Sequence, residues 1–535
     1  MALMGLDVGS TGCKAVVFDV AGKQLARAYR EYPEIYPQAG WIELDPERVW
    51  QSVKEVIAEA VAQAHVGAVT DRDSSGSVTP PTRDTEVRAL SISAMGETFT
   101  PVAKDGRFLY NSIVSPDSRA VPQAQALDEA LGAARIFQIT GMPVHPSFTL
   151  PKIAWLAQEH PEIHSQVWKY LLWPDLIFYK LGLEPRLDYS LAGRTMAFDV
   201  VTKQWSAEML AAVGAVTDRD RSGSVTPLTP LSADLFAEPI KSGEVVGELS
   251  AAMAAELGLP AGCLVVAGGH DQPMNALGAG IIKEGLAVDG MGTVECITVA
   301  FEQPVLNEAM RQHNYCCYPH VALDLYCSIA FNYSSGSVLR WYRDNFGAAA
   351  KQQAEASGQD VYDVILGGLP EAPTKLFTIP YFAGSGTPYL DPLARGGIFG
   401  LTLSCDEKTF VKGLLEGTCY EINLNLVSLA AAGVNVDRLR VTGGGSRSPL
   451  WLQLKADITG KEIVTLNVSE SGCLAGAMLG GVATGEYASL VEATEALVHE
   501  KESYTPDAAK HAQYEELYAI YAQLWPAVRD LVRAR

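Results

Sequence analysis

Two short segments carry an acidic residue, glycines and a hydroxyl in nearly the same order. They are Asp7-Val8-Gly9-Ser10-Thr11, with Lys14 close behind, and Asp289-Gly290-Met291-Gly292-Thr293. Glycine has no Cβ, so such turns let backbone N–H groups approach an anion closely. Two of them facing each other would hold phosphates between them. A third glycine run, Gly443-Gly444-Gly445, lies between a short apolar segment and a helical pattern that opens near Ser448, a setting that suits close approach to a nucleotide. The remaining chemistry sits in Gly268-Gly269-His270-Asp271-Gln272, directly after the apolar run 264–267. Asp271 is thus expected at a strand's carboxyl end, where open α/β sheets place ligands. A carboxylate there can take the proton of an attacking hydroxyl, worth roughly 10²–10⁴-fold in a phosphoryl transfer that otherwise depends on positioning and charge neutralisation. Capping of a helix over 273–280 is the plainer role for Asp271, and His270 reads as structural support.

These residues need strands to carry them and helices to back the strands. Each of the first two turns follows a short apolar run, and residues 15–19 form the return strand of a hairpin. Asp45-Pro46-Glu47 is a helix start, with an Asp cap, Pro at the first position and Glu in the first turn; the helix is expected to reach about residue 64. Strands are expected at 89–93 and 439–441, and helices at 148–159, 407–432, 448–459, 471–485 and 509–532. Strands interleaved with helices in both halves indicate an α/β architecture.

A chain of 535 residues is too long for one core. Its 62 acidic against 41 basic residues give a net charge of −21, which argues against nucleic acid or an anionic membrane as partner. No apolar run approaches a membrane span and no secretory signal is evident, so a cytoplasmic location is expected. The nine cysteines form no C-x-x-C pair and are expected to be reduced; the vicinal Cys316-Cys317 reads as part of a strand.

One internal repeat stands out. Residues 66–82 recur at 213–229 with 15 identities in 17, near-identity in dissimilar surroundings that points to recent copying. Both copies are rich in turn formers and are expected to be surface loops. Asp71-x-Asp73-x-Ser75-Gly76 and its counterpart at 218–223 imitate the opening of a calcium loop, but Thr82 and Thr229 stand where the bidentate Glu belongs. The segments therefore read as inert insertions whose removal leaves fold and activity intact.

Taken together the motifs resemble the FGGY family of carbohydrate kinases, which contains glycerol kinase, xylulokinase, gluconokinase and fuculokinase. The likeness extends to Pro116-Asp117-Ser118-Arg119, Lys152-Ile153-Ala154-Trp155-Leu156, Asp188-Tyr189-Ser190 with Ala192, Thr195 and Asp199, Ser335-Gly336 with Leu339 and Trp341, and Thr442-Gly443-Gly444-Gly445-Ser446-Arg447-Ser448-Pro449-Leu450-Trp451. The resemblance implies two RNase-H-like (actin-like ATPase) domains with an interdomain cleft, at residues 1–283 and 284–535. It implies ATP in the cleft, Mg²⁺ near Asp7 and Asp271, and Asp271 as the base. Gly9, Ser10, Thr11 and Lys14 would address the phosphates from one side and Gly292 and Thr293 from the other. Gly336, Arg340, Gly444, Gly445 and Ser448 would line the adenosine site. Met95, Glu97, Asp117, Asp271 and Gln272 would bind the sugar.

The substrate site departs from the best-known relatives. Glycerol kinases present an Arg-Glu pair, a Trp and a Tyr where this chain has Gly96-Glu97, Ser115 and Ser147, so a pocket larger than one for glycerol is expected. Xylulokinases carry Gln-Met-His-Gly where this chain has Ala94-Met95-Gly96-Glu97, so D-xylulose is not singled out. A pentulose, hexulose or larger polyol is the expected acceptor, and a homodimer is among the assemblies the sequence allows. An actin-like ATPase without an organic acceptor is the rival class, which the Asp271-Gln272 pair disfavours. A non-catalytic sugar sensor is disfavoured by the acidic pair Asp7 and Asp271.

Overall fold

The computed structural model describes residues 1–70, 85–217 and 230–534; the calcium-like stretches 71–82 and 218–229 lie outside them. The first five residues of each repeat copy are helical, closing the helices Pro46–Thr70 and Ala207–Thr217. The loop expectation fails there because the strong breakers begin only at Asp71 and Asp218, and one interior glycine costs a helix only about 1 kcal/mol.

Two mixed sheets carry the molecule. The first runs, edge to edge, through Val245–Glu248, Leu264–His270, Val87–Ala94, Ala2–Val8, Gly12–Asp19 and Gln24–Glu31. The second runs through Tyr318–Pro319, Tyr326–Asn332, Glu295–Phe301, Gly285–Met291, Val436–Thr442, Glu462–Leu466 and Glu500–Tyr504. Each is built on an antiparallel three-strand meander whose first strand pairs in parallel with a later one, and that with another. The two sheets are thus variants of one design, and the two glycine turns occupy equivalent corners of it.

Two helices join the halves. Ser471–Ala483, of sequence SGCLAGAMLGGVA, belongs to the second half in sequence yet lies on the first sheet. A Cβ on Gly5 of the central strand would collide with the Cys473 carbonyl, and one on Gly278, at the end of helix Asp271–Gly278, with that of Ser471. Only small residues permit backbone-to-backbone approach of this kind. Around these helices Leu3, Val16 and Val266 of the first sheet share one core with Leu286, Val288 and Leu466 of the second.

Most expected elements stand within a few residues of their places. The helix Leu490–Leu497 has no sequence-based counterpart, and Cys316-Cys317 precedes the strand Tyr318–Pro319 rather than lying in it. All nine cysteines are free. Among the described residues no helix is long and apolar enough to cross a membrane.

Candidate active site

Strand register assembles the site. Asp7 pairs with Lys14 across the hairpin and with Ser93 in the parallel neighbour, and Ser93 pairs in turn with Gly269. Asp7, Ser93 and Gly269 are therefore abreast where three parallel strands end, and the segments holding Glu97 and Asp271 leave the sheet side by side. Ser93 Oγ donates to Asp7 Oδ1 at 3.0 Å, and Lys14 Nζ lies 3.1 Å from Asp7 Oδ2 and 3.1 Å from Glu470 Oε2. Lys14, expected to address phosphate, is already held by two carboxylates. Burial disfavours its charge, but Asp7 and Glu470 outweigh that and hold its pKa above the ordinary lysine value. Glu470 was not foreseen, because its own sequence neighbourhood carries no motif.

Asp271 opens the helix Asp271–Gly278. The cap position belongs to His270, whose side chain makes no capping bond, so the capping role considered for Asp271 does not hold. The Asp271 side chain keeps 34% exposure, yet it stands deep enough that burial, the Asp7 charge and the Glu97 charge push its pKa up to about 7. Arg194 and a hydrogen bond from Gln272 oppose that shift. A carboxylate balanced near neutrality matches a general base. His270 Nε2 lies 3.2 Å from Asp271 Oδ1 and His270 Nδ1 lies 2.9 Å from Tyr318 Oη. Burial, then Arg194, pushes the His270 pKa well down.

The sugar-side residues fall into two groups. Glu97 is buried, sits at φ +58° and faces Arg194, whose Nε donates to Glu97 Oε1 at 2.6 Å and whose Nη2 bonds the same oxygen. A non-glycine residue held at positive φ is strain of a kind that gathers at functional sites. Arg194 also lies over the rings of Phe148 and Tyr318, at 5.1 and 5.2 Å, and its Nη1 contacts the Met142 sulfur at 3.6 Å. The space expected beside Gly96 is filled: a Cβ there would lie 2.9 Å from the His270 ring and 3.5 Å from Arg194 Cγ. An Arg-Glu pair is thus present, its arginine coming from a distant segment. A lone charge within Leu191-Ala192-Gly193-Arg194-Thr195-Met196-Ala197-Phe198 was the available signal.

The other group is engaged within the fold. Asp117 is buried; its Oδ1 accepts from the Arg119 amide and Nε, its Oδ2 from Arg119 Nη2 and the Ile42 amide. That exhausts the acceptor sites of a carboxylate. Arg119 in turn lies over Trp41 and Trp155, 4.0 and 4.8 Å from the ring centroids, and pairs with Glu43. Asp117, expected to bind the sugar, is the anchor of a structural clamp. Met95, also expected on the sugar side, is 6% exposed within the first core.

Around the second turn, Gly292, Thr293, Gly336 and Arg340 do converge. The Gly336 amide donates to the Gly292 carbonyl at 3.1 Å, Arg340 Nη2 donates to Thr293 Oγ1 at 3.1 Å, and a Cβ on Gly336 would lie 2.6 Å from the Gly292 carbonyl oxygen. In the triple glycine, Gly443 (φ +86°) and Gly445 pack on Met291, while Gly444 alone faces open space. Ser448 caps the helix Pro449–Thr459. Asp289, the counterpart of Asp7, is sealed in a fully buried group with Lys455 and Glu295. The halves meet at Cys296, which pairs in register with Gly290 and whose thiol burial, Asp271 and Asp289 all push up.

The family profile for the N-terminal domain of FGGY carbohydrate kinases matches residues 2–278, and that for the C-terminal domain residues 290–484. The chain belongs to the FGGY family of carbohydrate kinases. It is therefore a phosphotransferase with an alcohol group as acceptor, and kinases of this family use ATP. The FGGY chain is 26% identical over 529 residues to a xylulose kinase of Bacillus subtilis (strain 168), covering 99% of this chain and 97% of that one. It is 29% identical over 539 residues to a gluconokinase of Bacillus licheniformis, covering 99% and 96%. A solved structure described as a xyloylose kinase from Brucella ovis aligns with a TM-score of 0.82 at 26% identity, over 99% of this chain and all of that one. The ligand-bound xylulose kinase from Lactobacillus acidophilus aligns with a TM-score of 0.83 at 23% identity, over 99% and 98%, and shares the fold. The two-domain, actin-like architecture is thus that of the family's solved members.

Proposed function

We propose that this kinase phosphorylates a hydroxyl of a ketose (pentulose or hexulose) or larger polyol, with Asp271 as the general base. In this reading the acceptor hydroxyl gives its proton to Asp271 as its oxygen bonds the terminal phosphorus of ATP. The bond from that phosphorus to the bridging oxygen breaks, and ADP leaves. Residues 9–11 and the pair Gly292 and Thr293 address the phosphates, while Gly336, Arg340 and Gly444 face the nucleotide, with a domain boundary near residue 283. Glu97, Arg194 and Gln272 orient the sugar. The single observation that carries this reading is Asp271: a strand-end carboxylate that keeps partial exposure, balanced near neutrality, with hydrogen-bonding groups around it.

Among the described residues no cluster of three or more His, Cys, Asp or Glu is gathered for a metal. The chemistry of the donor set nevertheless suits Mg²⁺, which is commonly held by one or two carboxylates plus substrate phosphates. Asp7 and Asp271, partly exposed and close enough that one shifts the other, would hold it; bound there it neutralises phosphate charge.

A sugar acid is a second reading, favoured by Arg194, whose Nη1 among the described residues meets a thioether, a weak acceptor, and by the similarity to gluconokinases. Coupled ADP release measured across ketoses, polyols and aldonates tests both readings. Acceptor-dependent turnover supports a kinase of this specificity, and ADP release indifferent to every acceptor would overturn it.

A further inference from the structure

Tyr318 is absent from every motif, comes from the edge strand of the second sheet, and touches both arms of the site. Its hydroxyl lies 2.9 Å from His270 Nδ1, and its ring lies beneath the Arg194 guanidinium. His270 and Tyr318 are both buried, and burial raises the phenol well above its ordinary pKa, so its proton stays in place. The close approach is built in. Gly193 leaves room for the Tyr318 Cβ, 3.0 Å from where its own would stand, and a Cβ on Gly269 would run into Val321 and Ser190. The His270 amide donates to Ser190 Oγ at 2.9 Å, which fixes the ring's root.

His270 bridges the phenol and the Asp271 carboxylate, with Nδ1 2.9 Å from Tyr318 Oη and Nε2 3.2 Å from Asp271 Oδ1. Each ring nitrogen thus has a polar partner, and loss of the phenol would leave the ring held at one end only. We infer that Tyr318 is a positioning residue: through the His270 ring it aims the Asp271 carboxylate, and through its ring face it steadies the Arg194–Glu97 pair, so that contact between the two halves sets the geometry of phosphoryl transfer. The inference rests on Asp271 being the base.

Amide variants separate this role from simple packing. The amide nitrogen of Gln reaches the place of Nε2, whereas that of Asn takes the place of Nδ1. Tyr318→Phe, which keeps the ring on Arg194, should lower kcat about 3–10-fold with KM for ATP unchanged, the loss expected for one neutral hydrogen bond. His270→Asn should lower kcat about 10–100-fold, since a bond to a charged acceptor is lost, and His270→Gln should lose less. Adding Tyr318→Phe to His270→Gln should cost nothing more, because the phenol then has no Nδ1 to act on. The inference fails if Tyr318→Phe retains the parental kcat, if the His270→Gln and Tyr318→Phe losses multiply, or if the Asn and Gln variants are alike. Asp271→Asn, assayed alongside, separates these failures from that of the base assignment: parental turnover in that variant removes the base itself.

Discussion

Removing the Arg194 guanidinium should expose how the sugar side of the cleft is held together. The pair it forms with Glu97 is nearly sealed, the two side chains being 14% and 5% exposed. In Arg194→Ala the Glu97 carboxylate stays buried at a strained backbone position without its partner. Breaking a buried pair in this way costs about 3–5 kcal/mol; taking the lower figure, since Arg194 keeps some exposure, and about 2–4 °C per kcal/mol for a domain of this order, the melting temperature should fall by roughly 6–12 °C. Charge-assisted hydrogen bonds are worth about 1.5–3 kcal/mol, so a Glu97 no longer aimed at the acceptor should raise KM for the sugar about 10–100-fold while KM for ATP stays within about twofold. Arg194→Lys keeps the charge without the fork and should fall between. Steady-state kinetics with each substrate varied in turn, beside a thermal melt, measures all of this. A variant that melts early but keeps the parental sugar KM would refute the reasoning and leave Arg194 a structural residue only.

Gly336→Ala places a methyl 2.6 Å from the Gly292 carbonyl; overpacking of about 1–3 kcal/mol should raise KM for ATP about tenfold with sugar KM unmoved, as kinetics against nucleotide would show. Glu421 is buried against Tyr381 and Tyr521, and burial raises its pKa to about 7. Its folded-state pKa exceeds the unfolded value, so the stability it contributes is full below about pH 4.5 and is lost as pH rises through 7. Glu421→Gln keeps an acceptor for both phenols and should melt above the parent at pH 8, with the difference shrinking toward pH 5; a difference independent of pH would contradict this. Lys455→Met strands the Asp289 and Glu295 carboxylates and should destabilise by about 3–5 kcal/mol, read by chemical denaturation, and an unchanged transition would mean that Lys455 does not hold the two carboxylates as an ion pair.

Much of the fold was legible because its signals are local. Asp45-Pro46-Glu47 marks the start of the helix Pro46–Thr70, and the apolar run before Gly268 ends in the strand Leu264–His270. The placement of Asp7 and Asp271 at the ends of parallel strands could be read for the same reason. What could not be read depends on contacts distant in sequence. Arg194 enters the space beside Gly96 from nearly a hundred residues away, so an aligned position that had lost its side chain suggested a void where the fold supplies another. Asp117 has the residue type of a sugar ligand, and only the tertiary clamp around Arg119 shows that its oxygens are all engaged. Lys14 looked free for phosphate because Glu470, which holds it beside Asp7, lies at the other end of the chain.

In the proposed reaction, turnover depends most on the carboxylate of Asp271 taking a proton from an alcohol. The direct measurement is acceptor-dependent ADP release by Asp271→Asn on the parent's best sugar, with nucleotide affinity measured in parallel. A fall in kcat of roughly 10²–10⁴-fold with near-parental ATP binding is the predicted result; phosphorylation of that sugar at the parental rate would contradict it.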